Sequence, residues 1–160
     1  MVDQPASQIR DFLEAGSDRV IVQAETVDEA AFDSLLAVVR SYGKQIGLAF
    51  KPETDLPGWV QDRLGGIGTL LILTVNPGFS GQRMDVKQFP KIERAARLIA
   101  EKGVQTDLEI DGGVDEGNVQ EVARRGGDTF VAGAGVYAQP DPVQAIAHIR
   151  ENATRAKGAI

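Results

Sequence analysis

The sequence predicts a parallel α/β fold, either a doubly wound sheet or a (β/α)8-type barrel, in a single domain over residues 1–160. Segments with helical periodicity alternate with short apolar segments along the whole chain. Five of these apolar segments begin roughly 22–37 residues apart, about the length of one βα unit. They are almost continuously apolar, which is typical of parallel strands covered on both faces.

The five apolar segments are the predicted strands. Each is short, and a helix-like segment separates it from the next, so right-handed crossovers between parallel strands are expected. The predicted strands span residues 19–24, 45–50, 69–75, 106–111 and 129–133.

The predicted helices are recognised by their apolar stripes and by their end signals. In the first helix, Ile9, Phe12 and Leu13 share one face. Glycines suit the C-terminal ends of the first three long helices, and Pro142 suits the first turn of the last one. The predicted helices span residues 7–16, 28–43, 86–103, 117–126 and 141–158, and residues 56–66 form at most a short one interrupted by glycine.

The composition excludes several classes of protein. Hydrophobic residues make up 42% of the chain, which is enough for a core. Without cysteine, disulfides, thiolate metal sites and a cysteine nucleophile are excluded. A net charge of −6 without a basic cluster argues against nucleic acid or a membrane as a partner. The first residues resemble neither a signal peptide nor a transit peptide, so we expect a cytoplasmic protein.

Glycine-rich loops follow the last three predicted strands. The loops are "NPGFSG" after 69–75, "DGGV" after 106–111 and "GAG" after 129–133. Any one of them could be a tight turn between a strand and a helix. Three in succession favour an anion site, because backbone amides at the carboxyl ends of barrel strands commonly bind phosphate.

Asp111 is the strongest single candidate for chemistry. It ends the predicted strand "TDLEID", directly before Gly112 and Gly113. A carboxylate at the C-terminal end of a barrel strand is more often catalytic than structural. The structural alternative is a turn or a cap for the following helix.

Four motifs, taken in order, resemble the ribulose-phosphate 3-epimerase family. They are "LTVNPGFSGQ", the "KI" of the following helix, "EIDGGV" and "FVAGAGVY". The upstream segments "EAGSDRVIVQAE" and "GLAFKPET" resemble the fourth and fifth strands of that family. The resemblance covers about residues 1–150 and implies a TIM-type (β/α)8 barrel of which about five strands are present.

The resemblance also implies an activity and a set of site residues. The family interconverts ribulose 5-phosphate and xylulose 5-phosphate by proton transfer at C3, with a bound divalent metal, commonly zinc or iron, with manganese possible. Asp111 matches a residue that is both a catalytic acid–base group and a metal ligand. The residues that match substrate and phosphate loops are Gly78, Phe79, Ser80, Gly81, Gly112, Gly113, Gly133 and Ala134.

The chain departs from the family pattern in several places. "MVDQP" resembles a segment at the end of the family's third strand, so we expect the first strands, two metal-binding histidines and the first catalytic aspartate to be absent. Ala134 stands where the family usually has serine. Leu73 and Gln23 replace a methionine and a histidine. His148 lies between isoleucines on the last helix, and a ligand role is not expected for it.

Three functions remain open at this point. The chain could be an epimerase whose sequence lacks its start, or a non-catalytic phosphosugar-binding or assembly protein. It could also be another phosphate-binding barrel such as a hexulose-phosphate synthase, although "NPGFSGQ" argues against this. The substrate class is a ketose phosphate, and ribulose phosphate is not distinguished from others such as allulose 6-phosphate. Because both outer strands would have unpaired edges, we expect a homo-oligomer.

Overall fold

The computed structural model describes residues 2–158 and contains one parallel five-stranded sheet. The strands pair in chain order, β1-β2-β3-β4-β5. Their bounds are β1 Arg19–Gln23, β2 Gln45–Phe50, β3 Ile67–Leu73, β4 Asp107–Asp111 and β5 Thr129–Val131. Each neighbouring pair is parallel, which confirms the predicted α/β fold.

Helices connect the strands. The helices are α1 Pro5–Glu14, α2 Glu29–Ser41, α3 Val60–Arg63, α4 Phe89–Lys102, α5 Val119–Arg124, α6 Ala134–Tyr137 and α7 Pro142–Lys157. Short 3-10 turns precede α2 and α4 and follow α3. No helix among residues 2–158 is long and apolar enough to cross a bilayer.

Local sequence explains where the long helices begin and end. The side chain of Asp28 accepts a hydrogen bond from the Ala31 amide at the start of α2, and Asp141 accepts one from Gln144 at the start of α7. Such caps satisfy amide groups that have no partner inside the helix. Gly103 ends α4 in the left-handed conformation, which residues with a side chain adopt only at a cost.

The two faces of the sheet differ. On the outer face, Leu48, Leu70 and Ile110 alternate with inward-facing residues and are almost completely buried beneath the helices. On the inner face, Ala49, Leu71 and Leu73 form a small separate apolar cluster. The main core therefore lies between the sheet and the helices, and the inner face is left for polar groups and a cavity.

Both outer strands are open at their free edges. Within residues 2–158, no strand pairs with the outer edge of β1 or of β5. Apolar side chains lie exposed near these edges, including Phe12 of α1, Ile21 of β1 and Tyr137 after β5. The sheet is therefore an open, partial barrel, as the sequence predicted.

Some details differ from the sequence-based prediction. The structure places β3 at 67–73 instead of 69–75 and ends β5 at Val131, so Gly133 already belongs to the following loop. The four-residue helix α6 was not predicted. Phe12 was expected on the buried face of α1, but half of its surface is exposed, while Ile9 and Leu13 are buried. Phe12 lies toward the open edge of β1, where the described chain provides nothing to cover it.

Candidate functional site

The carboxyl ends of β3, β4 and β5 meet around an open pocket of about 320 Å³. The parallel sheet causes this convergence, because the ends of parallel strands lie at the same edge. All nine residues that the sequence singled out line this one pocket: Gly78, Phe79, Ser80, Gly81, Asp111, Gly112, Gly113, Gly133 and Ala134. Their role as ligand-binding or catalytic residues remains a prediction.

Asp111 lies at the floor of the pocket. It is the last residue of β4 and pairs in register with Leu73 and Val131 of the neighbouring strands. It also lines a second cavity of about 370 Å³ that follows the inner face of the sheet toward β1. The carboxyl group is half-buried, and this burial raises its pKa above the ordinary value. A carboxyl group with a raised pKa is better suited to accept and return protons near neutral pH.

The Asp111–Gly112 backbone is held by Thr74, a residue that the sequence analysis missed. Thr74 is completely buried directly after β3. Its amide donates to the Asp111 carbonyl oxygen at 2.8 Å, and its hydroxyl lies 3.1 Å from that oxygen and 2.5 Å from the Gly112 carbonyl oxygen. A threonine between an apolar strand and "NPG" gave no local signal for this role, because the contact crosses from one strand to the next.

Gly113 is required by both its conformation and its surroundings. Its φ angle is +64°, in the left-handed region. A Cβ atom at this position would lie 2.7 Å from the Gln82 carbonyl oxygen and would also collide with the Met84 amide. The absence of a side chain therefore lets the loop after β3 pass directly against the loop after β4. Asn118 also stabilises the loop after β4, because its side chain donates a hydrogen bond to the Gly113 carbonyl oxygen at 2.7 Å.

Several backbone amides around the pocket are free to donate. Within residues 2–158, the amides of Gly112, Gly113, Ala134 and Gly135 donate to no protein acceptor. Gly112 and Gly113 lie in the loop after β4, and Ala134 and Gly135 are the first residues of α6 after β5; all four line the same pocket. Amides from adjacent loops, combined with an open pocket, favour binding of an anion such as phosphate.

The loop after β3 is closed by its own side-chain bonds. The Gln82 side chain donates to the carbonyl oxygens of Asn76 at 2.8 Å and Phe79 at 2.9 Å. The Asp85 amide donates to the Thr74 carbonyl oxygen at 2.9 Å and fixes the end of the loop. Phe79 is 85% exposed although it is aromatic, so it lies at the rim of the pocket and not over it.

Two further carboxylates share the inner face with Asp111. Asp107, Glu109 and Asp111 alternate along β4, and this alternation in "DLEID" could have revealed them from the sequence. Burial raises the pKa of Glu109, with Arg19 opposing that effect and nearby carboxylates, including Asp111, adding to it. The inner face of β4 is therefore acidic and only partly open to solvent.

The described residues do not fit a complete divalent-metal site. Among residues 2–158, no group of three or more histidine, cysteine, aspartate or glutamate side chains could hold an ion. Asp111 is the one predicted ligand that the chain supplies. His148 lies on α7, where its Nδ1 is 2.8 Å from an oxygen of Glu116.

A parallel βα sheet with glycine loops at the carboxyl ends of its last three strands is characteristic of phosphate-binding barrel proteins. Residues 1–137 match the sequence model of the Ribulose-phosphate 3 epimerase family. The chain belongs to this family, as its motifs predicted.

Individual relatives agree with this assignment. The chain is 36% identical over 154 residues to a ribulose-phosphate 3-epimerase from Mycobacterium bovis, covering 96% of this chain and 66% of the relative. It is 35% identical over 144 residues to the Escherichia coli K12 enzyme of the same name, covering 89% of this chain and 62% of that enzyme. The chain therefore spans slightly less than two thirds of the length of these relatives.

A solved structure supports the fold. The 3-hexulose-6-phosphate synthase from Salmonella typhimurium superposes with a TM-score of 0.67 and 19% sequence identity, covering 98% of this chain and 70% of the synthase. At this identity the similarity supports a barrel-type fold and does not extend to the reaction.

Proposed function

We propose that this chain binds a ketose phosphate, with ribulose 5-phosphate as the first candidate, and supplies the acid–base carboxylate of a ribulose-phosphate 3-epimerase reaction. The observation that carries the proposal is the position of Asp111. It is half-buried at the floor of a pocket that is also lined by Gly112, Gly113, Ala134 and Gly135, whose amides are free. We further propose that the protein acts in the cytoplasm.

The chemistry follows from the substrate. The C3 proton of ribulose 5-phosphate is acidic because the neighbouring C2 carbonyl delocalises the resulting negative charge as an enediolate. Asp111 would exchange a proton with C3 on one face of that planar intermediate. Inversion needs a second acid–base group on the opposite face. Glu109 lies on the same strand and the same side as Asp111, so it does not meet this requirement.

The phosphate would bind at the loop after β4 and at the first residues of α6, which follow β5. The free amides of Gly112, Gly113, Ala134 and Gly135 are the proposed donors. Ser80 and Phe79 of the loop after β3 would contact the sugar, with the exposed Phe79 ring moving over it as a lid. Gly78 and Gly81, whose φ angles are +142° and +79°, would provide the backbone freedom for that movement.

The family resemblance implies a divalent metal, with zinc, iron and manganese as candidates, but the described residues supply only Asp111 as a ligand. We therefore expect this chain alone to bind the substrate and to epimerise it slowly or not at all. The absence of one acid–base partner alone typically lowers the rate by about 10²–10⁴-fold.

The test is exchange of the C3 proton of ribulose 5-phosphate in deuterated water, followed by NMR, with the Escherichia coli relative as the positive control. The chain should show at least about 100-fold slower exchange than that relative, with or without added zinc or iron. Fusing the part of the relative that this chain does not cover should restore turnover, and Asp111→Asn should abolish it without loss of phosphate binding. Rapid exchange catalysed by the chain alone, unchanged by Asp111→Asn, would show that Asp111 is not the acid–base group.

A second candidate function is phosphosugar binding without catalysis. It is favoured by the same shortage of acid–base and metal-binding side chains within residues 2–158. The fusion experiment separates the two functions. A fused protein that binds ribulose 5-phosphate tightly and still shows no exchange would favour the binding protein.

We also propose that the chain self-associates through its sheet edges. Phe12 is 50% exposed near β1, and Tyr137 is 81% exposed after β5. Open strand edges with exposed apolar side chains tend to pair with other chains. Analytical ultracentrifugation should detect dimers or larger species, and Phe12→Ser should shift them toward monomer. A monomer at all concentrations tested would contradict this proposal.

A further inference from the structure

A third cavity lies beside the pocket that contains Asp111, on the other side of the segment 81–84. Its volume is about 530 Å³. The two cavities share six wall residues: Gly81, Gln82, Gly113, Val114, Ala134 and Gly135. Three of the four residues whose amides are proposed to bind phosphate, Gly113, Ala134 and Gly135, therefore line both cavities.

The charge around these cavities is unfavourable for an anion. The chain carries a net charge of −6, and the cavities are lined by Asp111 on one side and Asp115 on the other. A phosphate monoester carries close to two negative charges at neutral pH. Neutral amides alone would have to hold that charge against two carboxylates, so a cation close to the amides would add substantially to binding.

Among the described residues, Arg83 is the cationic side chain that lines the 530 Å³ cavity, and no lysine or arginine lines the pocket that contains Asp111. It is exposed, and within residues 2–158 its guanidinium forms no hydrogen bond or ion pair. Its main chain abuts the proposed phosphate site, because a Cβ atom at Gly113 would lie 2.9 Å from the Arg83 carbonyl carbon. The side chain therefore starts next to the glycine amides and has no competing partner to hold it elsewhere.

We infer that Arg83 contacts the phosphate group of the ligand and selects phosphorylated over unphosphorylated sugars. This inference rests on the proposed function of the pocket and adds a residue to it. Arginine suits the role because its planar guanidinium presents several donors to phosphate oxygens in a fixed geometry. The glycine amides would orient the phosphate, and Arg83 would supply the opposite charge.

The test compares three single variants with the wild type in titrations of ribulose 5-phosphate, with ribulose as the unphosphorylated probe. The amide resonances of Gly113 and Gly135 report binding. Arg83→Gln should raise the Kd for ribulose 5-phosphate about five- to tenfold at low salt. This increase is smaller than the one expected from loss of a buried hydrogen bond to a charged group, because Arg83 is exposed. Arg83→Lys should recover part of that loss. Arg10→Gln, which removes an exposed arginine from α1, should change the Kd less than twofold.

Two further readouts separate a charge contact from a structural effect. The loss caused by Arg83→Gln should shrink when the salt concentration rises from about 50 mM to about 500 mM, because salt screens exposed charges. Weak binding of ribulose should be unchanged by Arg83→Gln. A Kd within twofold of wild type in Arg83→Gln, or an equal loss in Arg10→Gln, overturns the inference while the pocket assignment stands. Absence of shifts at Gly113 and Gly135 in the wild type overturns both.

Discussion

Arg19 in β1 and Asp107 in β4 form a 2.7 Å ion pair across the inner face of the sheet, although two strands lie between them. In a flat sheet, three interstrand spacings of about 4.8 Å would separate these strands by about 14 Å. The pair forms because the sheet curves. Gln45 of β2, which lies between these strands, supports it by accepting a hydrogen bond from Arg19 at 2.7 Å. Gly68 leaves room for the Gln45 side chain, since a Cβ there would lie 3.2 Å from it.

This ion pair should contribute more to stability than an exposed pair of similar length. In a double-mutant cycle, Arg19→Ala and Asp107→Ala should show a coupling energy of about 1 kcal/mol, measured by denaturant unfolding. The matched control is Lys44 with Asp18, a 2.6 Å pair in which the Asp18 side chain is 92% exposed. Its coupling should be weaker, because the exposed Asp18 carboxylate stays solvated. Equal coupling in both pairs would show that partial burial on the inner face adds nothing to the Arg19–Asp107 pair.

The hydroxyl of Thr74 should contribute more to the free energy of unfolding than the hydroxyl of Thr69, although both residues are completely buried. Thr74→Val should lower the free energy of unfolding by about 1–2 kcal/mol, because the Gly112 carbonyl oxygen loses its hydroxyl donor, while the Asp111 carbonyl oxygen keeps the Thr74 amide. Thr69→Val should be neutral or stabilising, since the Thr69 hydroxyl has no hydrogen-bond partner within residues 2–158. Urea unfolding of the two variants gives the comparison, and a larger loss for Thr69→Val would contradict it.

Gly113 should tolerate a side chain less well than Gly103. Their φ angles are +64° and +61°, so alanine is strained to the same degree at both positions. Gly103→Ala meets open space and should cost about 1–2 kcal/mol. Gly113→Ala should cost at least about 1–3 kcal/mol more, because the new methyl group collides with the backbone at Gln82 and Met84. Thermal denaturation tests the difference, and equal losses would mean that the loop after β3 moves aside freely.

Asp111→Asn should stabilise the protein at neutral pH. Burial raises the pKa of Asp111 in the folded state, so its favourable contribution is present below the unfolded pKa of about 3.9 and is lost as the pH rises through the folded value. Removing the charge should therefore raise Tm by about 1–3 °C at pH 7 and have no effect near pH 3.

Asp85→Asn is the control of opposite sign for Asp111→Asn. The Lys87 amide and the Gln88 side chain lower the pKa of Asp85, so its contribution is present at neutral pH and is lost on acidification. Asp85→Asn should therefore lower Tm at pH 7, with the difference disappearing as the pH falls. If Asp111→Asn also lowered Tm at pH 7, the Asp111 carboxylate would have a stabilising partner that outweighs its burial.

Ala134→Ser should tighten phosphate binding modestly. It would add one hydroxyl donor beside the free amides of the loop after β5, at a position where the family usually has serine. Because Ala134 is exposed, the new hydrogen bond should contribute only about 0.5–1.5 kcal/mol net, or roughly a two- to tenfold lower Kd for ribulose 5-phosphate in an NMR titration. Ala138→Ser, on the exposed side beyond α6, should leave the Kd unchanged. An equal or higher Kd for Ala134→Ser would place the phosphate away from this loop.

Much of the fold and of the candidate site was determined by the sequence alone. Periodicity located all five strands and the long helices, because burial of one face repeats at fixed spacing along a helix or strand. The position of Asp111 at a strand end could be read directly. So could the glycine loops, since glycine is selected by local backbone geometry and by close approach.

The tertiary structure decided what depends on contacts between distant segments. Thr74 contacts the Asp111 backbone because β3 pairs with β4. Arg19 forms its ion pair with Asp107 because the sheet curves. Phe12 has the spacing of a core residue but is half exposed, because an apolar stripe does not specify what covers it. Local patterns record which residues prefer burial or a turn, whereas strand order, register and curvature determine which of them meet.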